Sequence, residues 1–307
     1  MQPPTPVMNP AQSQLLGLQN ADGGWGAARG GPSATEPTAL AVMALRGADD
    51  EGADGERGLA WLRDRQRKDG SWPATDQVPM ASWMTSLAVL ALTGSPTDRS
   101  RATAGARWLL EQEGRPVPWV TRLLFLFFPK YNVTELDLDL RGWPWFEDTF
   151  GWVEPTACAL IALKSLRDDL PESPTRSRIE EGERMILDRV CKGGGWNYGN
   201  SRVYDEELWP FPDTTALALL ALQDRPELPE VRSSLQALDG MVARNESLLA
   251  TSLAALCGRA YGRPVDALSA RLVEHLEAGS PWIDTRALAL AGLALREAPI
   301  PLGFDHA

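Results

Sequence analysis

Cysteine and histidine are almost missing from this chain, and their scarcity excludes whole classes of chemistry. The three cysteines, Cys158, Cys191 and Cys257, show no paired spacing, which argues against a disulfide framework and fits a reducing cytoplasm. Two histidines, His275 in a predicted amphipathic helix and His306 next to last, give too few soft ligands for a tetrahedral zinc site. Neither a metal nor another cofactor is expected. Positive charge is also short: 30 Lys and Arg face 41 Asp and Glu, for a net charge of -11. Such a balance repels phosphate backbones and excludes nucleic acid as a partner class. The opening residues "MQPPTPVMNP" have neither the basic residues nor the apolar run of a secretory signal. The longest apolar run, "VTRLLFLFFP" from Val120, is too short to span a bilayer. A cytoplasmic protein is expected, with peripheral membrane contact left open.

What the chain does contain is repetition. An apolar, alanine-rich element recurs as "EPTALAVMAL" at Glu36, "WMTSLAVLAL" at Trp83, "EPTACALIAL" at Glu154 and "DTTALALLAL" at Asp213. Weaker copies follow as "SLLATSLAAL" at Ser247 and "DTRALALAGL" at Asp284. A helix with no polar face must be buried on all sides. Between the copies lie amphipathic stretches such as "GERGLAWLRDRQ", which suit an outer layer. Six inner helices alternating with about six outer ones predict an all-α fold: one closed ring of helical hairpins over residues 1–307, the inner N-termini crowding around one mouth. Residues 114–150 are too long for a bare hairpin and are read as an insertion. Within it Leu123 to Phe128 either complete the core or touch a membrane surface, the core being the simpler reading. "ELDLDLRG" alternates acid and Leu through Glu135, Asp137 and Asp139 as a half-buried strand does, and a solvated edge suits it better than an ion site.

A second signature precedes some inner helices. "QNADGGW" ends at Trp25 and "QRKDGSW" at Trp72, both with the spacing Q-x3-G-x-W, and "CKGGGW" ends at Trp196. These motifs resemble the Gln-Trp repeats of the squalene–hopene cyclase and prenyltransferase superfamily, whose domains are α/α toroids. Trp25, Trp72 and Trp196 are accordingly staples of the hairpin junctions. The resemblance implies a class II terpene-cyclase-like protein that cyclises a polyprenyl substrate by protonating it, with a second helical domain or a homo-oligomer left open. In that family a D-x-D-D-T-A motif starts an inner helix, and aligning it here puts Asp213 on the central acid. Phe211 and Thr214 replace its flanking acids. Zinc-binding prenyltransferases of the superfamily carry a D-x-C that this chain lacks.

Glu36, Glu154 and Asp284 share the repeat position of Asp213. Each could simply cap its helix. Four carboxylates around one mouth would also raise one another's pKa, so Asp213, with Glu154 and Glu36 beside it, could serve as a general acid or bind a cation. Asp284 and the aromatics Trp83, Trp143, Trp145, Trp152, Tyr204, Trp209 and Phe211 are the expected substrate-binding residues, since aromatic faces stabilise cations. A non-catalytic toroid binding an isoprenoid or a protein partner is the alternative.

Overall fold

The computed structural model describes residues 8–46, 53–115, 117–128, 136–137, 139–279, 284–297 and 301–302. Six helices form an inner ring: α2 (Thr35–Leu45), α4 (Thr85–Thr93), α7 (Val153–Ser165), α9 (Pro212–Ala221), α11 (Leu248–Ala260) and α13 (Thr285–Ala294). Each packs on the next, and α13 closes onto α2. Their alanines let the backbones approach, and their lack of a polar face is answered by burial on all sides; every residue from Pro37 to Leu45 is buried. The outer helices α1 (Pro10–Leu16), α3 (Ala53–Arg65), α5 (Arg99–Glu111), α8 (Glu172–Asp188), α10 (Pro229–Val242) and α12 (Asp266–Ala278) cover them. The N-terminal helix α1 lies across the seam, where Asn9 Nδ2 donates to Gly292 O at 3.1 Å and Gln12 Nε2 to Ala44 O at 2.8 Å.

Four hairpin junctions are closed by one device. The backbone N–H of Trp25, Trp72, Trp143 and Trp196 donates to the hydroxyl of Thr38, Thr85, Thr156 and Thr215, each at 2.9 Å. Their indole N–H groups donate to the carbonyls of Leu15, Leu62, Leu109 and Ile186 in the outer helix behind. Gly70 must be glycine: its φ is +92°, and an added Cβ would lie 2.6 Å from Ala104 O. Gln19 and Gln66 bond the carbonyls of Gly23 and Gly70, as the motif predicts.

The third staple, Trp143, differs from its expected role. It is 2 % exposed and covered by the Arg178 guanidinium at 3.5 Å, so it holds the junction and has no face toward the mouth. Arg178 takes over the work of the missing Gln, bonding the carbonyls of Gln112, Arg141 and Gly142. The insertion is correspondingly shorter than 114–150. Gly114 N–H meets Gly142 O at 2.8 Å, closing a neck beyond which the chain has already rejoined the repeat.

Inside that neck α6 (Trp119–Phe127) has no buried residue, so Leu123 to Phe128 do not complete the core. Asp137 and Asp139 lie in no strand; the Asp137 amide donates to Asp188 and Asp139 pairs with Arg122, while Glu135 lies outside the described residues. Two short hairpins, β1–β2 (Pro73–Thr75 and Val78–Ala81) and β3–β4 (Arg202–Val203 and Glu206–Glu207), rise from the junctions after Trp72 and Trp196.

Candidate functional site

Helix register decides which side chains face the mouth. Thr38, Thr156 and Thr215 each stand fourth in their helices, so Glu36, Glu154 and Asp213 stand second. Trp83 holds the same place relative to Thr85. In α13 the second residue is Arg286, not Asp284. Thr285 confirms this register: its hydroxyl donates to Gly26 O just as Thr35 donates to Pro73 O, both carbonyls directly following a staple Trp.

This corrects three expectations. Asp284 is the N-cap of α13, accepting from Ala287 N–H at 2.6 Å, two residues before the acid position. Glu36, Glu154 and Asp213 cap nothing; the N-caps of their helices are Ala34, Trp152 and Phe211, and none makes a side-chain cap bond. Nor is the mouth a ring of like charges. Arg286 reaches Glu36 at 3.2 Å with one nitrogen and Glu154 at 2.5 Å with the other.

The electrostatics follow from this bridge. Burial raises the Glu36 carboxyl above its ordinary value; Arg286 opposes that shift, and Glu154 and Asp284 reinforce it. For Arg286, burial works against the charge, but Glu154 and Glu36 overcome it and hold the guanidinium above its usual value. Asp213 stands apart, half-buried, with the Tyr198 hydroxyl 3.4 Å from its Oδ2. Burial, together with the Asp213 and Glu154 carboxylates, raises the Tyr198 phenol, which keeps its proton for donation.

Below the acids, among the described residues, the ring axis holds a narrow pit. Glu36, Glu154, Arg286 and Trp83 sit over a pit walled by Leu40, Leu87, Leu90, Ile161, Leu217 and Leu290, with Cys158 beside them. About 20 Å³ remains there, room for a single water. Above the acids the rim is open and aromatic. Trp83 meets Trp145 edge-on at 4.8 Å, and Tyr198 meets Phe211 at 5.2 Å. Trp152 is partly exposed against Gly199, while Phe211, Tyr204 and Trp209 are exposed, Trp209 to 85 %. Tyr204 sits in the two-residue turn of β3–β4 at φ 52°, a left-handed conformation that costs a non-glycine residue energy. Phe146 and Phe150, on the loop between Trp143 and Trp152, are exposed as well. Among the described residues no group of three or more His, Cys, Asp or Glu side chains comes together as a metal site.

Comparison with solved structures places the architecture. An α-1,6-mannanase from Salegentibacter overlays at 11 % identity with a TM-score of 0.62, covering 93 % of this chain and 96 % of that one. The chain is an α/α toroid. An α-amylase from Clostridium perfringens gives 12 % identity and a TM-score of 0.63 over the same shares, 93 % and 96 %. A type II terpene cyclase from Scytonema overlays more loosely, at 15 % identity over 78 % of this chain and 62 % of that one, with a TM-score of 0.49. At such identities the likeness of the toroids extends to fold and not to chemistry. No family model matches the sequence, and no curated protein does.

Proposed function

We propose that the toroid is a binding module for an isoprenoid or similar apolar chain, held at the mouth and not threaded down the axis. The observation that carries this reading is the filled pit: about 20 Å³ beneath Glu36 and Glu154 cannot take a polyprenyl chain, whereas Trp152, Tyr204, Trp209 and Phe211 offer an open apolar rim. Aromatic faces of this kind gain most by covering ligand carbon, and bound apolar surface contributes roughly 25 cal/mol per Å². The Arg286 bridge then closes the floor of the site with its charges mutually satisfied.

The test is equilibrium binding of geranylgeraniol to the wild type, Trp209→Ala and Phe211→Ala. Saturable binding that weakens by about tenfold in either rim variant, some 1.4 kcal/mol, supports the proposal. Absence of saturable binding, or affinity indifferent to both variants, removes it.

A second reading, acid-initiated cyclisation, is favoured by one observation. Burial raises the carboxyl of Glu36, the direction a general acid needs, and Trp83 lines the same pit. In that reading Glu36 carries the proton in place of Asp213, which sits nearer the rim beside Tyr198. Incubating a geranylgeranyl substrate with wild type, Glu36→Gln and Asp213→Asn separates the two acids. Cyclised product lost only in Glu36→Gln supports the second reading; no product from any of the three leaves the binding module as the function.

A further inference from the structure

Four hairpin junctions hold an indole, and the fifth does not. No Trp occurs between residues 229 and 260, where α10 passes to α11 through residues 243–247 alone. The walls that would have enclosed an indole are nevertheless present. Gly70 abuts Gly105, which precedes the indole's acceptor Leu109 by one helical turn. Gly194 abuts Ser234 in the same manner, so Leu238 of α10 is the counterpart of Leu109. Elsewhere the ring rests against a small residue of the next outer helix, Gly58, Gly105 or Gly182. In the fifth hairpin the corresponding space opens as a groove of about 290 Å³ between α10 and α12.

One polar duty of the missing Trp has been taken over. Arg271 of α12 reaches across to Val242 O at 3.2 Å, to Asn245 O at 2.6 Å and to the Thr251 hydroxyl at 3.2 Å. Thr251 stands fourth in α11, as the staple-bonded Thr38, Thr156 and Thr215 stand fourth in α2, α7 and α9. Arg271 therefore supplies the hydrogen bonds of a staple without its ring. What stays open has an apolar floor, Leu238, Val242, Ala254, Gly258 and Leu268, and a rim bearing Arg263 and Arg271 against the single acid Asp239. Arg263 is 2.5 Å from Asp239, so the local balance is cationic on a chain of net charge -11.

We propose that this groove is a second binding site, for a small planar aromatic acid of indole size, its ring taking the staple's place and its carboxylate facing the arginine rim. The shape argument comes from the four filled junctions and the charge argument from the rim, and neither depends on what the mouth binds.

The probe is indole-3-acetate, titrated against the full chain by saturation-transfer NMR with neutral indole in parallel. Saturable one-site binding at millimolar concentration or tighter is expected, with neutral indole at least about threefold weaker. Ala267→Trp, an exposed position on the groove wall, should weaken binding by about tenfold, and Arg263→Gln by about threefold. Trp209→Ala at the mouth should change nothing. If thermal unfolding shows that Ala267→Trp misfolds, Ala243→Phe on the opposite wall, also exposed, is the substitute. No saturation by about 10 mM overturns the proposal. So does binding that survives the groove variants or disappears with Trp209→Ala. Equal affinity for neutral indole overturns the assignment of an acid.

Discussion

The two ends of the inner ring carry opposite charges and use them differently. At the base, where six parallel helices present their C-terminal carbonyls, cations bond those carbonyls directly from the neighbouring helix. Arg46 donates to Ala91 O, Lys164 to Ala221 O at 2.7 Å, Arg259 to Leu293 and Ala294, and Arg296 to Met43 O at 2.6 Å. At the mouth the acids sit in the first turns, where the helix dipoles favour them, yet Glu36, Glu154 and Asp213 bond none of the backbone N–H groups as caps. The base charges are structural. At the mouth Glu36 and Glu154 are held by Arg286, and Asp213 lies against the Tyr198 hydroxyl. Parallel dipoles alone would call for some acid at one end and some base at the other; of these two sets of charged side chains, only those at the base bond the helix backbone.

The sharpest way to break this contrast is to set a scaffold aromatic against a rim aromatic. Trp143→Ala empties a buried junction and strands Arg178, and should cost about 3–5 kcal/mol in denaturant unfolding. Trp209→Ala, at an 85 % exposed position, should stay within about 0.5 kcal/mol of wild type in the same assay. Comparable losses in both would erase the distinction between scaffold and rim. Next in size, Lys164→Met at the base removes the cation held between Glu183 and Asp224, each 2.6 Å away, and should cost about 3 kcal/mol because Glu183 is left buried. At the mouth, Arg286→Gln should cost less, about 1–3 kcal/mol, because Glu36 can take up a proton once its partner is gone. A larger loss for Arg286→Gln than for Lys164→Met would show the mouth to be the structural end.

The smallest effect is one of pH. Burial raises the folded-state pKa of Glu36, so the folded chain binds this proton more tightly than the unfolded chain. Stability from this group is therefore greatest below its unfolded value near 4.5 and falls as pH rises through the folded value. Glu36→Gln should gain on wild type as pH increases from about 4 to about 7, read as the difference in urea midpoints. A difference that shrinks with rising pH would mean that Arg286 outweighs burial.

Much of the ring was legible because its signals are local. Apolar runs without a polar face demand burial, and Gly-x-Trp marks a junction whatever surrounds it. Trp143 was misread because its junction lacks both the Gln and the Gly two residues before the indole. A signal was available: Trp143 precedes Thr156 by thirteen residues, as Trp25 precedes Thr38 and Trp72 precedes Thr85. At Trp196 the inserted β3–β4 hairpin stretches that interval and hides it. Arg286 was missed for a similar reason. Aligning the sixth copy by its apolar tail shifts it two residues from the register set by Thr285.

The sequence by itself determined the six inner helices, their common direction and the crowding of acids at one end, because periodicity and burial are written residue by residue. Only the tertiary structure decided what those acids meet. Whether Glu36 and Glu154 repel each other or share a cation depends on ring closure bringing α13 beside α2, which places Arg286 against residues more than one hundred positions away. Whether the axis is open or filled depends likewise on how Leu40, Leu90, Ile161 and Leu290 interdigitate from four helices at once. Packing of that kind is a property of volumes meeting in space, and no local pattern in the chain encodes it.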